Sequence, residues 1–246
     1  NTATDTKKMR YFIVTLLACL LGMEVFGAPT LWLAGDSIIR DYSEAELPRA
    51  GWGQMLRELV RPGVVIENRG LSGRSLKRFI LDQNWEALLK GVKEGDFVIL
   101  SFAHNDQYKN APRYHDEPDE YGTLLKQCIA EVRARGATPV LVTSIPRYRF
   151  SRANVPAQTL GEYPAVMREV AAETGTGLID LNTALTEQLC RLDMAESAKF
   201  YILDKQDPKR RDVEHLTPEG ARNVARTAVE EAKKKKLPIA ELFQDK

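Results

Sequence analysis

The chain has 246 residues, and its 35 Lys and Arg against 34 Asp and Glu leave a formal net charge of +1. That length suits one α/β core without demanding a second. The balanced charge lacks the field that holds a polyanion by its phosphates, which argues against nucleic acid as the main partner.

In chain order, Lys7, Lys8 and Arg10 precede an apolar run at 11–21, and Val25 and Gly27 are small enough to precede a cut at Ala28. Residues 1–27 are therefore expected to be a signal peptide and 28–246 a mature domain exported to the periplasm or the medium. The run is short and soon meets Glu24, so no membrane span is expected. Leu16-Leu17-Ala18-Cys19 only weakly resembles a lipoprotein box, which leaves a lipid anchor as the lesser alternative.

From there, short apolar or β-branched runs alternate with amphipathic stretches, the pattern of a parallel sheet covered by helices on both faces. Strands are predicted at 30–34, 64–68, 97–102, 138–144 and 177–180. Helices are predicted at 53–60, 85–91, 121–135, 160–173, 183–192 and 218–235. Gly136 and Gly175 follow helix ends, and Pro218 suits the first turn after Thr217. Lys233 to Lys236 read as a solvated helix end, where positive charge complements the dipole. The least regular stretches are 108–119 and 148–158. Cys128 and Cys190 each fall on a helical apolar stripe, so two separate buried thiols are expected rather than a bridge. No CxxC or HExxH occurs, and neither a metal nor a cofactor is expected.

In an open parallel sheet the ligand crevice lies beyond the carboxyl ends of the strands, so clusters just after strands are site candidates. Gly35-Asp36-Ser37 follows the first strand and offers a hydroxyl together with backbone N–H groups. Asn68-Arg69-Gly70-Leu71-Ser72-Gly73-Arg74-Ser75 follows the second, and Gly73 carries no Cβ to keep a ligand from its N–H. Ala103-His104-Asn105-Asp106 follows the third, where the Asn105 amide donates without charge. Asp212-Val213-Glu214-His215 precedes the last helix, and its spacing lets Asp212 hold Nδ1 of His215 while Nε2 faces a serine. Taken alone, each cluster reads first as a turn, a cap, a common loop or a loop ion pair, and only their joint occurrence points to chemistry.

Together, Ser37, Gly73, Asn105 and His215 stand in the chain order of the SGNH, or GDSL-like, hydrolase superfamily, which the mature chain resembles over nearly its whole length. Within it, Gly51-Trp52-Gly53-Gln54, the Asn68 to Ser75 segment, His104-Asn105-Asp106, and Gly136 to Thr143 leading to Ile145-Pro146-Arg147 resemble rhamnogalacturonan acetylesterases. The resemblance implies a three-layer α/β/α sandwich with a five-stranded parallel sheet in flavodoxin-like order 2-1-3-4-5. It also implies metal-free removal of acetyl groups from pectic or related plant polysaccharide, the expected partner. Ser37, His215 and Asp212 would be catalytic, and the N–H groups of Ser37 and Gly73 with the Asn105 amide would form the oxyanion hole. Two departures stand out. Ala103 replaces a more usual glycine, where a methyl group could narrow the pocket, and Val213-Glu214 replaces smaller polar residues.

Trp52, Arg74, His104 and Arg147 are candidate sugar contacts, since aromatic faces and guanidinium groups suit hydroxyl-rich or uronate ligands. A packing role for Trp52, surface ion pairs for the arginines and loop support for His104 compete with that reading. His115, in a charged loop, is expected to face solvent. Acetylated xylan, another glycan or a lipid ester are alternative substrates, and a catalytically silent carbohydrate-binding protein is the alternative of another class. Oligomeric state is left open.

Overall fold

The structure is a computed structural model that describes residues 28–110, 115–152, 155–203 and 212–245. The signal-peptide, cleavage and Cys19 readings, which concern residues 1–27, lie outside the described residues.

Strand β1 (Thr30–Gly35) is hydrogen-bonded on one side to β2 (Val65–Asn68) and on the other to β3 (Phe97–Ser101), followed by β4 (Thr138–Val142). All pairings are parallel, with Leu33 opposite Asn68 and Gly35 opposite Ser101. The irregular stretch at 148–158 contains a small antiparallel pair, β5 (Phe150–Arg152) and β6 (Val155–Pro156), that the sequence reading missed. Strand β7 (Gly177–Ile179) completes the main sheet beside β4. Taken in sheet order, the five parallel strands follow the expected 2-1-3-4-5 arrangement.

Period-two alternation sends Leu31, Leu33, Ile99, Val140 and Val142 to one face, and Trp32, Ala34, Val98, Leu100 and Leu141 to the other. Near the first face, α1 (Trp52–Met55) is a single turn that tightens into a 3-10 segment at Leu56–Glu58, replacing the longer helix predicted at 53–60. On the second face sit α2 (Leu76–Leu81), which the sequence reading missed, α3 (Asn84–Leu89), α4 (Pro118–Arg133) and α5 (Tyr163–Thr174). The first face also takes α6 (Leu181–Arg191) and α8 (Pro218–Lys234), with the short α7 (Met194–Ala198) between them in the chain. Helix α8 buries Ala221, Val224, Ala225, Ala228 and Ala232, a small-residue stripe at helical spacing that lets it lie close to the sheet. Among the described residues no helix is long and apolar enough to cross a membrane.

Helix α6 corrects one expectation. Its core stripe is Leu181, Leu185 and Leu189, so Cys190, one residue or about 100° further round, is exposed. Cys128 is buried as expected, and both thiols are free.

Candidate active site

Ser37 stands just beyond the carboxyl end of β1, in a turn held from several directions. The Ile38 N–H donates to Asp36 Oδ1 at 2.9 Å, the Tyr42 hydroxyl donates to the Ser37 carbonyl at 2.8 Å, and the Trp52 N–H donates to the Ile38 carbonyl at 3.0 Å. The turn packs so tightly that its neighbour must be glycine: a Cβ on Gly51 would lie 2.0 Å from the Arg40 carbonyl oxygen. Backbone cannot yield as a side chain can, so this contact fixes where the serine sits.

His215 reaches Ser37 from the far end of the chain, just before α8. Its Nε2 lies 2.9 Å from Ser37 Oγ and its Nδ1 2.8 Å from Asp212 Oδ2. Asp212 Oδ1 also accepts the N–H groups of Glu214 at 3.2 Å and His215 at 2.9 Å, so the carboxylate is tied to the backbone that carries the ring. Arg49 donates to Oδ2 at 3.2 Å. Burial alone pushes the Asp212 carboxyl up, but the hydrogen bonds from the His215 ring and backbone outweigh it and hold the group well below the usual carboxylate range. An ionised Asp212 favours the tautomer with its proton on Nδ1 and leaves the Nε2 lone pair facing the serine hydroxyl.

The other two strand-end loops are joined to the end of β1: the Leu71 N–H donates to the Gly35 carbonyl at 3.0 Å, and His104 Nδ1 lies 3.5 Å from Asp36 Oδ2. Gly73 has φ +67°, a left-handed conformation, and the space where its Cβ would stand is open to 4 Å. The Asn105 side-chain amide donates to the Arg74 carbonyl at 3.3 Å, which draws the loop after β3 against the loop after β2. One of its two N–H bonds is committed there, and the second is available to another oxygen.

This convergence of strand-end serine, glycine, asparagine and a terminal Asp-x-x-His agrees with a family match: residues 33–222 fit the GDSL-like Lipase/Acylhydrolase family. The chain belongs to that family. It is similar to the rhamnogalacturonan acetylesterase RhgT of Bacillus subtilis, with 32% identity over 216 residues covering 85% of this chain and 91% of the relative. The crystal structure of YxiM from B. subtilis superposes with a TM-score of 0.76 at 27% identity, covering 86% of this chain and 58% of that one. The acetylxylan esterase Axe2 of Geobacillus stearothermophilus shares the fold, with a TM-score of 0.62 at 21% identity over 85% of this chain and 96% of that one.

As a GDSL-family hydrolase, the protein departs from the sequence reading at several peripheral residues. Trp52 is 1% exposed and belongs to the core beside α8, so it is no sugar platform. Arg147 is not a surface residue either: its Nε donates to Glu214 Oε2 at 2.6 Å, and its Nη atoms donate to the carbonyls of Thr159 at 2.8 Å and His104 at 3.3 Å. It is a buried strut joining the histidine loop to the asparagine loop. Glu214, which the sequence reading saw only as an unusual neighbour of His215, is the other half of that strut.

His104 is 1% exposed, with Nδ1 3.5 Å from Asp36 Oδ2, and lies behind the site instead of lining it. Of the four candidate sugar contacts only Arg74 keeps partial exposure, and its Nε turns toward Asp82 at 3.5 Å. His115 is not solvent-facing: Nδ1 lies 2.6 Å from the Asp106 carbonyl and Nε2 3.1 Å from Glu117. Ala103 is buried in the core of the second face, and its backbone is strained at φ +146°, a region that favours glycine. Arg49 carried no local signal, since only folding brings it to Asp212.

Proposed function

We propose that the protein removes acetyl groups from plant cell-wall polysaccharide, rhamnogalacturonan foremost, through an acetyl-enzyme on Ser37. The observation that carries the reading is the unbroken relay from Asp212 through His215 to Ser37, with 2.8 and 2.9 Å between partners. As the Ser37 hydroxyl adds to the acetyl carbonyl carbon, its proton passes to His215 Nε2. The negative charge that develops on the carbonyl oxygen is met by the N–H groups of Ser37 and Gly73 and the Asn105 amide. When the tetrahedral adduct collapses, the sugar oxygen leaves with the proton from His215 and the acetyl group stays on Ser37. Water then gives a proton to the same nitrogen, adds to the acetyl carbon and releases acetate, and the proton returns to Ser37 Oγ.

Pectic substrate is supported by the similarity to rhamnogalacturonan acetylesterase RhgT across most of both chains. A second reading, acetylated xylan, is supported by 25% identity to an acetylxylan esterase of G. stearothermophilus over 185 residues. The test is acetate release from acetylated rhamnogalacturonan and acetylated xylan, run beside Ser37→Ala. The variant should lose at least about 1,000-fold in kcat while unfolding at the wild-type midpoint. Substantial residual turnover would end the nucleophile assignment, and release from xylan alone would transfer the substrate to the second reading. Covalent labelling of Ser37 by a fluorophosphonate separates both from a silent binding protein. Export belongs to the same proposal: a chain beginning at Ala28 outside the cytoplasm of an expressing cell supports it, and an uncleaved cytoplasmic chain overturns it.

A further inference from the structure

The sugar that leaves with the proton of His215 needs a surface to lie on, and three of the four candidate contacts, Trp52, His104 and Arg147, are buried. The chemistry restricts where that surface can be. In the tetrahedral adduct the carbonyl oxygen faces the Asn105 amide, while the sugar oxygen must lie within reach of His215 Nε2 to take its proton. The sugar ring therefore emerges where the asparagine loop and the histidine loop face each other.

Tyr108 joins these two loops. Its N–H donates to the Asn105 carbonyl at 3.3 Å, and its hydroxyl donates at 3.5 Å to Oε2 of Glu214, the neighbour of His215. The hydroxyl also accepts from Arg147 Nη2 at 3.3 Å. The side chain is 44% exposed, and among the described residues it is the one exposed aromatic. A ring left open to solvent at the rim of a site, with its phenol held at one end, offers an apolar face and a polar handle together.

A part in the Arg147–Glu214 strut does not account for this ring. Arg147 Nε meets Glu214 directly at 2.6 Å, whereas both phenol contacts lie at the outer limit of a hydrogen bond. The strut stands without Tyr108, and the phenol can exchange either long contact for a sugar hydroxyl. Burial first, and then the charge of Glu214, push the phenol above its usual range, so it remains a neutral donor near neutral pH.

We propose that the Tyr108 ring is the platform on which the acetylated sugar lies, so that this residue selects acetyl esters of pyranose sugars over acetyl esters that carry no ring. A pyranose has a face of C–H groups that covers an aromatic ring and hydroxyls at its edge that reach the phenol. The proposal rests on the acetylesterase reading for the identity of the ligand.

The test compares acetylated rhamnogalacturonan oligosaccharides with ethyl acetate, which has no ring, on the full chain. Tyr108→Ala should raise KM for the oligosaccharide about tenfold with kcat within about twofold, and leave kcat/KM for ethyl acetate within about twofold. Tyr108→Phe and Tyr108→Trp retain a ring and should hold KM within about threefold of wild type. In the Ser37→Ala background, calorimetry should show affinity for the same oligosaccharide falling about tenfold when Tyr108→Ala is added. Thermal midpoints should stay within about 2 °C, because the side chain is exposed. Unchanged KM and affinity in Tyr108→Ala, or a Phe variant as weak as the Ala variant, would overturn the platform. So would a fall in kcat on both esters together with a lower midpoint, the result expected of a prop for the strut. Acetylated xylo-oligosaccharides run alongside carry the same expectation, so a shift of substrate to xylan leaves the platform open to refutation. Failure of the hydrolase reading would instead show as hydrolysis of ethyl acetate that survives Ser37→Ala.

Discussion

Replacing Arg147 by Met is the most informative single perturbation outside the relay. Met fills much of the arginine stem and removes the guanidinium alone. That deletes the 2.6 Å contact to Glu214 and the bonds to the carbonyls of Thr159 and His104. The Arg147 and Glu214 side chains are 8% and 15% exposed, so the Glu214 carboxylate is left largely buried and, among the described residues, with the Tyr108 hydroxyl at 3.5 Å as its remaining side-chain donor. Breaking a buried pair on one side costs about 3–5 kcal/mol. The partial exposure of Glu214 puts this case near the lower end, about 3 kcal/mol. For a domain of this size that is a fall of roughly 6–12 °C in thermal midpoint. Because Glu214 adjoins His215 and Arg147 also holds the His104 carbonyl, the loss should reach the relay as a drop of about tenfold in kcat with KM nearly unchanged. Urea unfolding and initial rates on an acetyl ester measure both effects. A variant within about 0.5 kcal/mol of wild type that instead shows a raised KM would refute the strut and restore Arg147 as a sugar contact.

Gly51→Ala puts a methyl group 2.0 Å from the Arg40 carbonyl oxygen, so the serine turn must shift; we expect a loss of roughly 3 kcal/mol or more and reduced turnover, read by the same two assays. Burial pushes the Asp180 carboxyl up, yet hydrogen bonds from Arg168, Thr183 and Thr143 overcome it and pull the group down to about 2. A folded value below the unfolded one means that this stabilisation is present at neutral pH and is lost as pH falls from about 4 through about 2. Asp180→Asn should therefore cost about 1–2 kcal/mol near pH 7 and almost nothing near pH 2, and an equal cost at both would reject the linkage. In a Cys19→Ser background a thiol reagent should modify Cys190 in the native protein and leave Cys128 silent until unfolding; mass mapping of the labelled residue decides it.

The parallel sheet and the three strand-end loops were legible from local signals, whereas the strand order 2-1-3-4-5 was legible only through the family resemblance. A strand between amphipathic stretches is continuous in the chain, and a ligand crevice lies beyond strand ends whatever the helices do. Ser37, Gly73 and Asn105 could be singled out for that reason, and His215 by its Asp-x-x-His spacing before the last helix. The Asp212-to-His215 contact was legible as well, since it spans three residues of one loop.

Folding alone decided which polar and aromatic side chains those loops bury. Periodicity says which way a residue points and nothing about what is laid over it. Trp52 is closed in by α8 from the far end of the chain, Arg147 by a loop sixty-seven residues later, and His115 by the backbone of Asp106. Helix α2 carried too few residues to show a period, and it is secured by carboxyls thirty and thirty-nine residues away. Burial is set by contacts distant in sequence, and these are the contacts that decide whether an arginine meets solvent, substrate or a buried carboxylate.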